Sequence, residues 1–200
     1  MNFFSPVRVD ARRTKRGGIL TAFARDRNGA TAIEFGMIAL PFLALIGGVF
    51  DLGMTMWARA SLQDAVTSAS RQIYTGSFQQ SNAGTSDSAA LLANFHTELC
   101  KQTGITAVSL FNCSDVKISV RQVGSMRGAK LNQASSSAGG WNQNFSGYTS
   151  GSPGNIMVIQ AAIEFPILFN LLGADQVSNG FRIIQGTAVL KVEPYGGKSS

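Results

Sequence analysis

Phe35-Gly36-Met37-Ile38-Ala39-Leu40-Pro41-Phe42-Leu43-Ala44-Leu45-Ile46-Gly47-Gly48-Val49-Phe50 is a run of sixteen residues without a charge, and its reading decides the fold. Asp51 interrupts it, and residues 52–58 continue the apolar pattern. Between residues 30 and 57 the only charged side chains are Glu34 and Asp51. A helix of about 20 such residues spans the hydrocarbon of a bilayer. A soluble domain of this size seldom buries a helix that is apolar on every face, so a core helix explains the run less well than a membrane span does.

The flanks give the run a direction. Residues 1–29 hold seven basic side chains (Arg8, Arg12, Arg13, Lys15, Arg16, Arg25 and Arg27) against Asp10 and Asp26, which is +5 of the chain's net +6. The other residues are nearly balanced, so the basic excess belongs to a membrane flank and not to a nucleic-acid surface. Only Arg59 follows the run closely, which sets the N-terminus in the cytoplasm and the rest of the chain outside. Beyond it, Leu62, Val66, Ala69 and Ile73 recur at helical spacing, with Arg59, Gln63, Asp64, Ser68 and Arg71 on other faces. One helix over about residues 30–74 is expected, ~65 Å long at 1.5 Å per residue. Ala58-Arg59-Ala60 before Ser61 has the form of a signal-peptide cleavage site. Against that reading, the apolar run exceeds the usual 7–15 residues and the helical pattern continues past the site.

The remainder predicts an α+β head: a short helix, and an antiparallel sheet packed on the second half of the long helix. Charged residues are 14% of the chain, against about 25% in soluble proteins. With an ordinary apolar share of 44%, this excludes an extended disordered chain, a coiled coil and a disulfide-dense scaffold. Residues 76–90 read as a polar connector. Leu91, Leu92, Phe95 and Leu99 mark one face of a helix capped by Ser86 or Asp87. Strands are expected at residues 116–123, at 157–165 and at 181–193, the last more apolar throughout and therefore central. Residues 132–155 read as a long Ser/Gly/Asn-rich loop holding Trp141, Phe145 and Tyr148, an aromatic tip able to touch a surface or a glycan.

Chemistry-bearing residues are sparse. Cys100 and Cys113, both on the exported side, are expected to bridge in an oxidising compartment, a loop closure worth ~3 kcal/mol on the chain-entropy model. Their spacing lacks the C-x-x-C redox pattern, and two cysteines by themselves are expected to make a poor metal site. His96, the sole histidine, reads as a surface or cap residue. The sequence has no Gly-x-Ser-x-Gly, no phosphate-binding glycine loop and no paired carboxylates in one segment. Asp87, Glu98, Asp115, Glu164 and Asp175 are scattered. No enzyme, cofactor or metal is expected.

The junction Arg27-Asn28-Gly29-Ala30-Thr31-Ala32-Ile33-Glu34-Phe35 resembles the processing site of type IV prepilins, above all the pseudopilins of the tight-adherence (Tad) pilus. With Leu40-Pro41-Phe42-Leu43 and Asp51-Leu52-Gly53 it is similar to the opening block of the TadE-like family. Ile163-Glu164-Phe165-Pro166 and the segment from Gln185 to Tyr195 look more loosely like that family's final strands, and residues 76–155 match nothing. The resemblance implies cleavage of the Gly29–Ala30 bond by a membrane prepilin peptidase, with Gly29 leaving the backbone accessible. It also implies that Glu34, fifth in the mature chain and followed by Phe35, pairs with the new amine of a neighbouring subunit. A carboxylate at the edge of a membrane helix is costly and usually has such a role. The alternative is a local one: Glu34 reaches the headgroups or its own helix N-terminus, worth 0.3–1 kcal/mol. Asp51, where relatives often carry Glu, is either a second interhelix contact or the point where the helix leaves the hydrocarbon. Pro41 removes one helix hydrogen bond and is expected to kink the helix.

The implied protein is a structural or assembly pseudopilin (minor pilin) of a Tad-type (Flp) pilus. It has a basic cytoplasmic leader at residues 1–29, a transmembrane and spine helix at 30–75 and a periplasmic head at 76–200. Its implied partners are the prepilin peptidase, other Tad pilins and pseudopilins, and the assembly platform of the bacterial inner membrane, with a role in adherence and no nucleic acid. Two alternatives stand beside it: a membrane-anchored envelope binding module outside any filament, and a soluble secreted protein released after Ala60.

Overall fold

The computed structural model describes residues 29–102, 112–125, 127, 131–136, 140–167 and 180–194. Residues 1–28 of the expected leader, Asp175 and Tyr195 lie outside the described residues. Helix α1 (Gly29–Tyr74) is a single element containing Pro41. The chain divides into two units, Met1–Leu45 and Ile46–Ser200. In the first, the described part of α1 exposes its large apolar side chains, among them Ile33, Met37, Ile38, Leu40, Phe42 and Leu43. By length and composition α1 is long and apolar enough to cross a membrane.

The second unit is an α+β head. It comprises the rest of α1, α2 (Ser77–Ser81), α3 (Ser88–Gln102), a 3-10 turn (Cys113–Asp115), and strands β1 (Lys117–Val123), β2 (Gly147–Tyr148), β3 (Ile156–Pro166) and β4 (Phe181–Lys191). Ala58, Leu62, Ala65, Val66, Ala69 and Ile73 form the buried stripe of α1. They join Leu91, Phe95 and Leu99 of α3 and one face of the sheet, including Ile118, Val120, Met157, Ile159, Ala161 and Ile163. The Asp87 carboxylate accepts the Ala89 N–H at 3.0 Å, so Asp87 and not Ser86 caps α3.

The sheet order is β2-β1-β3-β4. β1 pairs antiparallel with β3 from Lys117↔Ala162 to Val123↔Ile156, and β3 with β4 from Ile156↔Lys191 to Pro166↔Phe181. The two-residue β2 runs parallel to β1, which makes the expected antiparallel sheet a mixed one. The central position expected for residues 181–193 belongs to β3, which is buried on both faces from Met157 to Ile163. β4 is an edge strand, and its apolar composition has another cause. Ile184, Ala188 and Leu190 face the helix core, while Ile183 lies with Ala134, Phe145 and Ala162 on the opposite face.

That free edge is partly closed by a side chain. The Gln63 amide donates to the Thr187 carbonyl at 2.9 Å and accepts the Thr187 N–H at 3.0 Å. It satisfies one backbone pair as a neighbouring strand would. Gly186 lies against this contact: a Cβ there would meet the Gln63 backbone at 3.4 Å, in van der Waals contact. The Glu193 N–H donates to the Tyr74 carbonyl at 3.0 Å, tying the end of this strand to the end of α1.

Two segments read as irregular are more ordered than expected. The polar connector contains α2, entered through Gly76 at φ 76°, a left-handed conformation that favours glycine. It buries Phe78 edge-on against Phe95, with ring centroids 5.4 Å apart. The loop after β1 does not offer a free aromatic tip, since Phe145 and Tyr148 are buried. Trp141 is half-buried under the Lys117 ammonium, 4.1 Å from its ring centroid. Two glutamines on the outer sheet face hold the loop. The fully buried Gln160 amide bonds both the N–H and the C=O of Asn132, and Gln185 bonds the Asn132 C=O and the Ala134 N–H.

Candidate functional site

Helix α1 carries the candidate site, and it begins at Gly29, the glycine of the expected scissile bond. Five residues on, Glu34 is exposed between Ile33 and Phe35, and Phe35 itself is 73% exposed. A charge placed among exposed apolar side chains, and not over a packed core, has the character of a membrane-helix residue.

Residues 46–57 of α1 have inverted polarity. Val49, Phe50, Leu52, Met56 and Trp57 face outward, while Asp51 and Thr55 are buried. Asp51, 3% exposed, meets Arg182 at the start of β4, with Nη2 3.4 Å from Oδ2. Arg182 Nη1 donates to Thr55 Oγ1 at 2.9 Å, and the Thr55 hydroxyl donates to the Asp51 carbonyl at 2.8 Å. Asp51 therefore has a partner on the chain's own sheet. Sequence reasoning missed Arg182 and Thr55. The available signals were an acid in an apolar run, which requires a partner, and a hydroxyl one helical turn after it.

Cys100 at the end of α3 and Cys113 in the 3-10 turn form a disulfide, with Cα atoms 6.0 Å apart. His96 is not a detached surface residue. Its Nε2 lies 2.9 Å from the Cys113 carbonyl oxygen and its Nδ1 lies 3.8 Å from Cys100 Sγ. The neighbouring turn of α3 carries Glu98, whose carboxyl is held below its ordinary range by hydrogen bonds from Lys101 and Gln72. At the end of α1 the Tyr74 phenol is pushed up, first by its hydrogen bond to Glu193 and then by that carboxylate's charge.

Residues 29–71 match the family of TadE-like proteins. No curated protein and no solved structure matches the chain. The family match starts at the glycine on which the junction was read and bears out the TadE-like resemblance of the opening block, over residues 29–71. The family is pilus-related and structural rather than enzymatic.

Proposed function

We propose, taking a TadE-like helix at residues 29–71 as the premise, that this chain is a processed pseudopilin supporting assembly of a Tad-type pilus. A prepilin peptidase removes the basic leader 1–29 at the Gly29–Ala30 bond. The helix from residue 30 to about 57 then anchors the mature chain in the inner membrane, with the head in the periplasm. The Glu34 carboxylate pairs with the Ala30 ammonium of an adjacent subunit, and Phe35 opens the apolar face that neighbouring pilin helices and the assembly platform engage.

One observation carries this reading: the large apolar side chains of α1 point outward through Trp57, Met54 excepted, while Asp51 and Thr55 turn inward. Water gives the opposite arrangement, and hydrocarbon gives this one. The basic flank before the helix supports the orientation.

N-terminal sequencing of the mature chain from cells containing the matching peptidase tests the proposal. A start at Ala30 is expected. Gly29→Val, whose branched side chain obstructs the bond, should accumulate uncut protein. An intact leader in the wild type would instead support the membrane-anchored module, and a start at Ser61 a secreted soluble protein.

A further inference from the structure

His96, Cys100 and Cys113 form a grouping that the pilin reading does not use. Their ligand atoms all lie within 4.8 Å of one another. Helical spacing brings two of them together: His96 and Cys100 are four residues apart on α3, so they share one face across a single turn. Cys113 arrives from the 3-10 turn, with its Cα 6.0 Å from that of Cys100.

The hydrogen bonding fixes the histidine's tautomer. A backbone carbonyl only accepts, so the Nε2 that lies 2.9 Å from the Cys113 oxygen carries the proton in the neutral ring. Nδ1 is then unprotonated, and its lone pair faces the sulfur of Cys100 at 3.8 Å. This is the arrangement of a metal-bound histidine, which ligates through one nitrogen and donates the other N–H to a carbonyl or carboxylate.

We propose that reduction turns this bridge into a binding site for a zinc-type divalent ion, with His96 Nδ1, Cys100 Sγ and Cys113 Sγ as ligands. In the disulfide neither sulfur is an anion, and the site is closed to metal. A dithiol reductant supplies two electrons and two protons, becoming a disulfide itself and leaving two cysteine thiols. The ion then displaces both thiol protons, so that one Zn2+ enters and two protons leave. Two thiolates and an imidazole suit Zn2+ and disfavour the hard cations Mg2+ and Ca2+, which take oxygen ligands. Three protein ligands leave the fourth tetrahedral position to water.

The test uses the full-length chain in detergent, reduced with a phosphine and titrated with Co2+ as a spectroscopic probe, then with Zn2+. The expected result is one Co2+ per reduced chain, a thiolate-to-cobalt charge-transfer band, displacement by Zn2+, and neither band nor uptake in the oxidised chain. His96→Ala should weaken affinity roughly tenfold or more, by analogy with lost zinc-site groups. Native mass spectrometry of the wild type provides a measurement independent of how the variant folds: a mass gain of one zinc less two protons is expected. A reduced chain that takes up no stoichiometric Co2+, an affinity indifferent to His96→Ala in a folded variant, or zinc uptake without proton loss would each overturn the proposal.

Discussion

Residues 46–57 and residues 58–73 belong to one helix and obey opposite rules. In the first stretch Leu52 and Trp57 are turned outward and Asp51 and Thr55 inward; in the second Leu62, Val66 and Ile73 are inward and Arg59, Asp64 and Arg71 outward. The backbone is helical throughout, so the change lies in what surrounds it. A helix that turns most of its large apolar side chains away from the protein, as the first stretch does with Met54 the exception, is matched to an apolar surrounding, and one that gathers them is matched to water. The crossover near Trp57 and Ala58 is where the proposed anchor ends and the water-facing spine begins.

Breaking the inward-facing polar group should have the largest effect. Asp51→Ala leaves Arg182, whose side chain is 24% exposed, without this carboxylate. The expected loss of head stability in detergent is about 3 kcal/mol, the lower end for a broken buried pair because the protein leaves part of the Arg182 side chain uncovered. Asp51→Leu combined with Arg182→Met should recover most of it, measured by denaturant unfolding in detergent. A double variant as unstable as the single one would show that the pair does more than neutralise itself.

A matched pair of leucine truncations sharpens the contrast. Leu62→Ala empties a fully buried site and should cost about 2–5 kcal/mol. Leu52→Ala removes the same atoms from a side chain 49% exposed, and should leave head unfolding within about 0.5 kcal/mol of wild type. Equal losses would erase the distinction between the two stretches.

The smallest expected effect is at Glu98, on the water-facing side. Its folded pKa is lowered by Lys101 and Gln72, so its contribution is present above its ordinary value of 4.5 and fades as pH falls through the lowered one. Glu98→Gln should therefore flatten the stability profile slightly below that pH and leave the Cys100–Cys113 bridge intact. An unchanged acid profile would mean that the Lys101 contact, 2.9 Å long but largely solvated, contributes nothing measurable.

Much of this contrast was legible in the sequence because it is periodic: the uncharged run, the 3.6-residue stripe after it and the alternating strands all have a period that survives without coordinates. What escaped was set by partners distant in sequence. β4 looked central because Ile183 and Ile184 are both apolar, yet one lies under the loop and the other against the helix core. Gln63, Gln160 and Gln185 read as ordinary polar residues, although their amides replace backbone partners for an edge strand and a loop. Arg182 gave no local sign that it belonged to Asp51, nor did His96 show that it faced a bridge to Cys113. Phe78, Phe145 and Tyr148 lay in stretches rich in Ser, Gly and Asn, whose composition hid three core side chains.

Accessibility of introduced cysteines in intact inner membranes tests the two-surroundings account most directly. Phe42→Cys and Asp64→Cys, each carried in the otherwise native chain with Cys100 and Cys113 bridged, would be exposed to a membrane-impermeant maleimide applied from the periplasmic side. The account predicts rapid labelling at position 64 and protection at position 42, with position 42 becoming reactive once detergent and denaturant expose it. Equal labelling at both positions before denaturation would contradict it.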